Sequence, residues 1–147
     1  RIVQVGLLVV ALLMIPGLSD LHAKANRSYP RAYYNYFQIA NELGQKRGCE
    51  DTLVSCRKPA LFHLFSNCHT TRYLSSKDDE KVILEMIEKR VDYVILAQLG
   101  YSSTARYLYP AIQNNESLFT PVMQKKKPNT YVLRFNRDRA RKKIATD

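Results

Sequence analysis

The sequence DTLVSCRKPALFHLF, residues 51–65, decides the fold, because an apolar segment of strand type runs directly into a helix start. Residues 51–56 are partly β-branched and bounded by charge, which predicts a buried strand. Pro59 opens the apolar sequence that follows, and proline favours the first turn of a helix because its φ angle is already fixed. Residues 51–65 therefore predict one strand and one helix of an α/β domain.

Toward the carboxyl end the same alternation continues. The sequence predicts strands at 70–74 and 91–96, separated by a helix that starts in a capping box at Ser76. Residues 119–124 and 130–135 flank the basic turn KKKPN and predict an antiparallel hairpin. Because parallel neighbours need crossover connections, this order favours a mainly parallel sheet with helices on both faces. We therefore expect a Rossmann-like three-layer α/β sandwich with a C-terminal antiparallel hairpin.

An apolar run, IVQVGLLVVALLMIPGL at residues 2–18, precedes this domain. It falls just short of the roughly 20 residues that span a bilayer core in a helix, and we interpret residues 1–20 as the C-terminal part of a transmembrane helix. A secretory signal peptide, with the sequence AKA at 23–25 as a loose cleavage site, and a buried core helix are the alternatives. We expect a C-terminal piece of a longer membrane protein, with an α/β domain at 24–136 and a basic tail at 137–147.

The first segment of the domain is rich in tyrosine. Apolar side chains recur there at helical spacing, which predicts a helix, at Tyr33, Phe37, Ala40 and Leu43. Four tyrosines crowd the end nearest the apolar run, where amphipathic rings favour the headgroup layer of a membrane. The predicted membrane-interface residues are Tyr29, Tyr33, Tyr34 and Tyr36. The alternative is a tyrosine-rich core helix.

Arg57 and Lys58 are the candidate binding residues. They follow a predicted strand and directly precede a helix start, and ligands of open parallel sheets lie beyond the carboxyl ends of strands. Two cations beside exposed helix amides would bind a phosphate or a carboxylate. The alternative is that both are solvated or paired with Glu50 or Asp51, as most surface charges are.

Cysteine and histidine usage predicts no catalytic or metal chemistry. Cys49, Cys56 and Cys68 are an odd number. Cys49 could pair with Cys56 in an oxidising space, but small apolar core residues and one surface thiol are favoured. A zinc site from Cys56, His63, Cys68 and His69 lacks a Cys-x-x-Cys spacing. We find no glycine-rich phosphate loop and no serine, histidine and aspartate arrangement, so we predict no catalytic residue, no metal and no cofactor in this chain.

Positive charge is concentrated at the carboxyl end. Residues 124–147 carry nine Lys and Arg against two Asp, most of the chain's net charge of +10. This end could bind anionic lipid headgroups, bind nucleic acid or be a solvated tail. Aromatic side chains between the charges are limited to Tyr131 and Phe135, so nucleic acid is not the expected partner.

Five strings together resemble one protein family, and they cover most of residues 24–135: YYNYFQIANEL (33–43), CRKPALFHLFS (56–66), RVDYVIL (90–96), TARYLYPAI (104–112) and PNTYVLRF (128–135). The chain resembles the last membrane helix and the C-terminal soluble domain of bacterial GT-C-type membrane glycosyltransferases. It is similar to the dolichyl-phosphate-mannose-protein mannosyltransferase and aminoarabinose transferase group.

The resemblance implies that the parent protein transfers a sugar from a polyprenyl-phosphate carrier to a lipid, glycan or protein acceptor. The family's catalytic acidic residues lie upstream of any position here, and a divalent metal would belong to the parent. This domain would be noncatalytic, covering the membrane active site or helping carrier binding through Arg57 and Lys58. Its partners would be the membrane, the upstream transmembrane portion and the polyprenyl-phosphate sugar donor.

The resemblance also places the protein in the inner membrane with this domain on the periplasmic side. The basic body would favour the cytoplasm by the positive-inside tendency, but large domains translocate largely regardless of charge. The rival hypothesis is a separately encoded, membrane-anchored or secreted basic domain that binds anionic lipid or nucleic acid.

Overall fold

The computed structural model describes residues 16–17, 28–47, 49 and 51–145. No helix in that part of the chain is long and apolar enough to cross a bilayer. The predicted membrane segment at 1–20 lies outside the described residues except for Pro16 and Gly17.

The described chain alternates helices with strands and ends in a hairpin followed by a helix. The strands are β1 (Leu53–Ser55), β2 (His69–Thr71), β3 (Tyr93–Ala97), β4 (Phe119–Lys125) and β5 (Thr130–Phe135). The α-helices are α1 (Arg31–Arg47), α2 (Pro59–Ser66), α3 (Asp79–Glu88), α4 (Tyr109–Gln113) and α5 (Arg137–Ile144). A π-helical turn, Thr104–Leu108, runs into α4, and a 3₁₀ turn, Glu116–Leu118, precedes β4.

The five strands form one mixed sheet in the order β2-β1-β3-β5-β4. β1 is parallel to β2 and β3, whereas β5 is antiparallel to β3 and β4. The predicted mainly parallel, Rossmann-like sheet is therefore wrong. The hairpin does not extend one edge of a parallel sheet; its second strand pairs with β3 along five residues, so the longest ladders are antiparallel.

Helices cover both faces of this sheet, and each face has its own apolar core. The side chains of β3 alternate between them: Ile95 packs with α1 and α2, and Val94 packs with α3, α4 and α5. Tyr36 and Phe62 lie fully buried between α1 and α2, with ring centroids 5.2 Å apart. The core that contains Tyr36 and Phe62 holds α2 in place, and with it the residues at the start of this helix.

Helix ends follow capping chemistry with one correction to the sequence prediction. The N-cap of α3 is Asp78, whose carboxylate accepts a hydrogen bond from the Lys81 backbone N–H. This bond lowers the pKa of Asp78. Ser76, the predicted cap, instead accepts a hydrogen bond from the Asp78 backbone N–H and holds the turn before the helix. Within the predicted basic tail, Arg137–Ile144 forms a helix with Ala140 buried.

Cys49 forms a disulfide with Cys68, and Cys56 is a free, buried thiol. The considered Cys49–Cys56 pair and the preference for three unpaired cysteines are therefore both wrong. Cys49 precedes β1 and Cys68 precedes β2, and the starts of parallel neighbours meet at the same edge of a sheet. Within the described residues, no group of histidine, cysteine and acidic side chains could hold a metal ion.

Candidate functional site

Two parallel strands end side by side at the candidate site. Arg57 and Lys58 follow β1, and Tyr101 follows β3, the parallel neighbour of β1. Gly100 allows the chain to turn after β3, because its φ of 82° lies in the region that favours glycine. The fold therefore brings Tyr101 to the predicted cation pair.

Both cations lie against the same aromatic ring. The Arg57 guanidinium carbon is 4.7 Å from the centroid of the Tyr101 ring, and the Lys58 ammonium nitrogen is 4.9 Å from it. The face of an aromatic ring carries negative charge density, so it attracts cations. The ring thus contacts two positive charges without neutralising either of them.

Neither cation has a carboxylate partner among the residues that the structure describes. The ion pairs in that part of the chain join other residues, and the alternative pairing with Asp51 is not among them. Glu50 lies outside the described residues. The Nε–H group of Arg57 is buried and donates a hydrogen bond to no residue within the described chain. Both charges therefore remain available to an anion.

The start of α2 adds backbone donors to the two charges. Lys58 is its N-cap and Pro59 its first residue, and no side chain caps the first turn. The Tyr36 hydroxyl donates a hydrogen bond to the Lys58 carbonyl at 3.2 Å, which fixes this turn from the core. An uncapped helix start favours negative charge through its free N–H groups and its dipole.

Two tyrosine hydroxyls complete the site. The Tyr33 and Tyr101 oxygens are 3.1 Å apart. This hydrogen bond, with partial burial, raises the pKa of Tyr33 to about 12. A side-chain hydrogen bond with Lys58 and the bond with Tyr33 lower the pKa of Tyr101. Either hydroxyl can donate in this hydrogen bond, which links the Tyr101 side chain to α1.

An apolar groove of about 800 Å³ begins at Lys58. It runs between the start of α1 and the first turns of α2, and its apolar walls are Tyr29, Pro30, Tyr33, Pro59, Leu61 and Leu64. Leu64 is 74% exposed, and with the other walls it forms a contiguous apolar surface of the kind that marks a binding groove. The groove joins a positive charge to a long apolar surface.

The four predicted membrane-interface tyrosines do not share one environment. Tyr29 and Tyr34 are about half exposed, whereas Tyr33 is half-buried and bonded to Tyr101. Tyr36 is fully buried against Phe62, so its assignment to the interface is wrong. The alternative of a core tyrosine holds for Tyr36 alone.

An exposed aromatic ridge extends from the tyrosines onto α2, and we use this name for Tyr29, Tyr34, Phe37, Leu64 and Phe65. The Phe37 and Phe65 rings stack with centroids 4.3 Å apart, and Phe65 remains 41% exposed. The Tyr29 ring meets Phe37 edge-on at 5.3 Å. The ridge borders the groove, so the apolar surface and the cation pair lie on the same side of the domain.

Sequence reasoning missed Tyr101 as a site residue. The usable signal was its place after β3, which matches the place of Arg57 and Lys58 after β1. Comparisons with models of known protein families, with curated proteins and with solved structures find no match to this chain.

Proposed function

We propose that this chain is the noncatalytic, extracytoplasmic accessory domain of a membrane glycosyltransferase, and that it binds the phosphate of a polyprenyl-phosphate sugar carrier. The observation that carries the proposal is the cation pair over Tyr101 at the mouth of an apolar groove. Arg57 and Lys58 bind the phosphate, and the groove receives the first isoprenoid units.

The chemistry of the site favours an amphipathic anion over a soluble one. Lys58 belongs to both parts of the site, since its ammonium lies over the Tyr101 ring and its side chain lines the groove. A free phosphate would contact only the cations and leave Leu61 and Leu64 against water. A phosphate with an attached hydrocarbon chain satisfies both surfaces, because apolar area gains free energy when it leaves water.

The position of the aromatic ridge supports a site at a membrane surface. The ridge begins at Tyr29, which follows the apolar run at 2–18 closely along the chain. Tyrosine and phenylalanine side chains at such a position bury their rings near lipid headgroups. A carrier whose chain lies in the bilayer would then meet the groove from the membrane side.

The disulfide supports the extracytoplasmic side. Cys49 and Cys68 are bonded, and such bonds persist in oxidising compartments, whereas the cytoplasm keeps thiols reduced. The disulfide therefore supports the periplasmic placement that the family resemblance implies. It speaks against the cytoplasmic placement that the basic charge of the domain favours.

The test is a titration of the full chain, in micelles of an uncharged detergent, with polyprenyl phosphate and with the matching polyprenol. Shifts of the backbone amide signals of Arg57, Lys58, residues 60–62 and Tyr101 in NMR spectra report occupancy. We expect the phosphate to bind about tenfold more tightly than the alcohol, because charge-assisted hydrogen bonds at a half-exposed site supply about 1.4 kcal/mol. The double substitution Arg57→Ala/Lys58→Ala should remove this difference.

The matched control is Arg134→Ala/Arg141→Ala, which removes the same charge from two exposed arginines that lie away from the groove. It should change the apparent Kd less than twofold. Equal binding of the alcohol and the phosphate, or an equal loss in the control, would show that the cations form no site. A second titration with a short duplex DNA in varied salt tests the rival nucleic-acid hypothesis, which requires a steep salt dependence.

A further inference from the structure

A second cavity, of about 700 Å³, lies beyond the carboxyl end of β3 and has Tyr101 as one of its lining residues. The chain that leaves β3 forms one wall, and the π-helical turn Thr104–Leu108 and the hairpin turn that carries Asn129 form others. Its volume lies in the usual range of small-molecule sites, about 300–1,000 Å³. Carboxyl ends of strands are where open α/β sheets bind ligands, and π-helical turns often occur at functional sites.

The polar groups of this cavity are not used by the fold. Gln98, Ser102, Asn129, Tyr109 and Tyr131 line it, and their side chains form no hydrogen bond with any residue that the structure describes. Thr104, by contrast, is fixed by a hydrogen bond of 2.9 Å with the Tyr73 hydroxyl. The cavity therefore presents two amides and several hydroxyls that are free to bind a ligand.

The lining carries no charge but is rich in aromatic surface. None of its residues is Asp, Glu, Lys, Arg or His, whereas three are tyrosines. The lining residues themselves therefore supply no counter-charge to an anionic or cationic ligand. The aromatic faces suit the weakly positive C–H groups of a sugar ring, and the amides suit its hydroxyls.

We propose that this cavity binds a neutral saccharide as a pyranose ring. The ring packs its C–H face on the exposed ring of Tyr109, and Gln98, Ser102 and Asn129 form hydrogen bonds with its hydroxyl groups. The proposal stands on the cavity alone and does not need the phosphate site, although Tyr101 borders both.

The test uses the full chain in micelles of a detergent that has no sugar headgroup, since a glycosidic headgroup would compete. The probes are methyl α-mannoside, methyl β-glucoside and methyl β-galactoside. We expect at least one to cause saturable amide shifts at 98–105 and 129–131 with a Kd of about 1 mM. Tyr109→Ala should raise this Kd about fivefold, because the ring face is lost. Gln98→Ala/Asn129→Ala should raise it by a similar factor.

The matched control is Tyr34→Ala, since Tyr34 is 48% exposed and Tyr109 49%, but only Tyr109 lines the cavity. Saccharide affinity should be unchanged in this control. The glycoside titration uses neither Arg57 nor Lys58 as a reporter, so its failure would leave the phosphate site untouched. The absence of saturable shifts with all three glycosides at about 0.1 M, a hundredfold above the expected Kd, would overturn the proposal. A loss of affinity in Tyr34→Ala equal to that in Tyr109→Ala would overturn it too.

Discussion

Gly44 is the position at which α1 approaches the end of α2 most closely, and its replacement by alanine should destabilise the domain. A Cβ atom built there lies 2.3 Å from the Ser66 carbonyl oxygen and 3.0 Å from its carbonyl carbon. Ordinary contacts of a Cβ begin near 3.4 Å, so the backbone of α2 must move by about 1 Å. The clash is with backbone, which no side-chain rotation can relieve.

Two opposing terms set the magnitude. Overpacking a well-packed core costs about 1–3 kcal/mol, and alanine gains about 1 kcal/mol over glycine within a helix. Because the clash is with backbone, its cost lies in the upper part of that range, about 2–3 kcal/mol, and the expected net loss in the free energy of unfolding is about 1–2 kcal/mol. For a domain of this size that loss lowers Tm by about 4–8 °C.

Thermal and urea unfolding of Gly44→Ala measure this loss, with Lys46→Ala as the control. Lys46 lies in the same helix and is exposed, so its substitution should change the stability by less than about 0.5 kcal/mol. A Gly44→Ala protein as stable as the wild type, or more stable, would refute the close packing of α1 on α2. Helix propensity alone predicts that the alanine variant is more stable than the wild type, because alanine favours a helix more than glycine does.

Three further perturbations probe the disulfide, the buried thiol and the cation site. Reduction of Cys49–Cys68, whose partners are 19 residues apart, should lower the free energy of unfolding in urea by about 3 kcal/mol, and an unchanged midpoint would exclude the bond. Burial raises the pKa of Cys56 to about 11, so its neutral form stabilises the fold below pH 9. That contribution should be lost as the pH rises from 9 through 11, and Cys56→Ala, which cannot titrate, should lack this loss. Tyr101→Ala should weaken polyprenyl-phosphate binding about threefold while Tyr101→Phe keeps it, since the ring face attracts the cations; equal losses in both would assign the effect to the hydroxyl.

The order of helices and strands could be predicted from the sequence, but their pairing could not. Residues 91–96 are apolar on both faces, which is typical of a central strand in a parallel sheet. The same pattern arises in β3, where helices cover both faces and one neighbour, β5, is antiparallel. Burial of both faces thus shows that helices cover the strand above and below. It does not show whether the neighbouring strands are parallel or antiparallel.

The error at Tyr36 has a similar cause. The sequence offered the helical spacing of Tyr33, Phe37, Ala40 and Leu43. Ala40 and Leu43 are buried, but in the first turns of α1 the buried side is that of Tyr36 and Ile39, whereas Tyr33 and Phe37 are only half-buried. Tyr36 is one residue from Phe37, which corresponds to about 100° around the helix. Tyrosine fits either a core or a surface, so the residue type could not decide between them.

Arg57 and Lys58 could be predicted as a cation pair from the sequence around them. Their partner Tyr101 could be identified only from the fold. Arg57 and Lys58 follow a strand and precede a helix, and both features are visible in the sequence. Tyr101 is far from them along the chain and meets them because β1 and β3 are parallel neighbours. The pairing of Cys49 with Cys68 depends on the same kind of contact, between β1 and β2.

Photo-crosslinking with a polyprenyl phosphate that carries a diazirine near its phosphate tests the central claim most directly. The account predicts that mass spectrometry finds the label on peptides that contain residues 28–37 and 57–66, and that Arg57→Ala/Lys58→Ala abolishes it. Labelling spread evenly over the domain, or concentrated at 134–141 and unaffected by the double substitution, would contradict a carrier-phosphate site at Arg57 and Lys58.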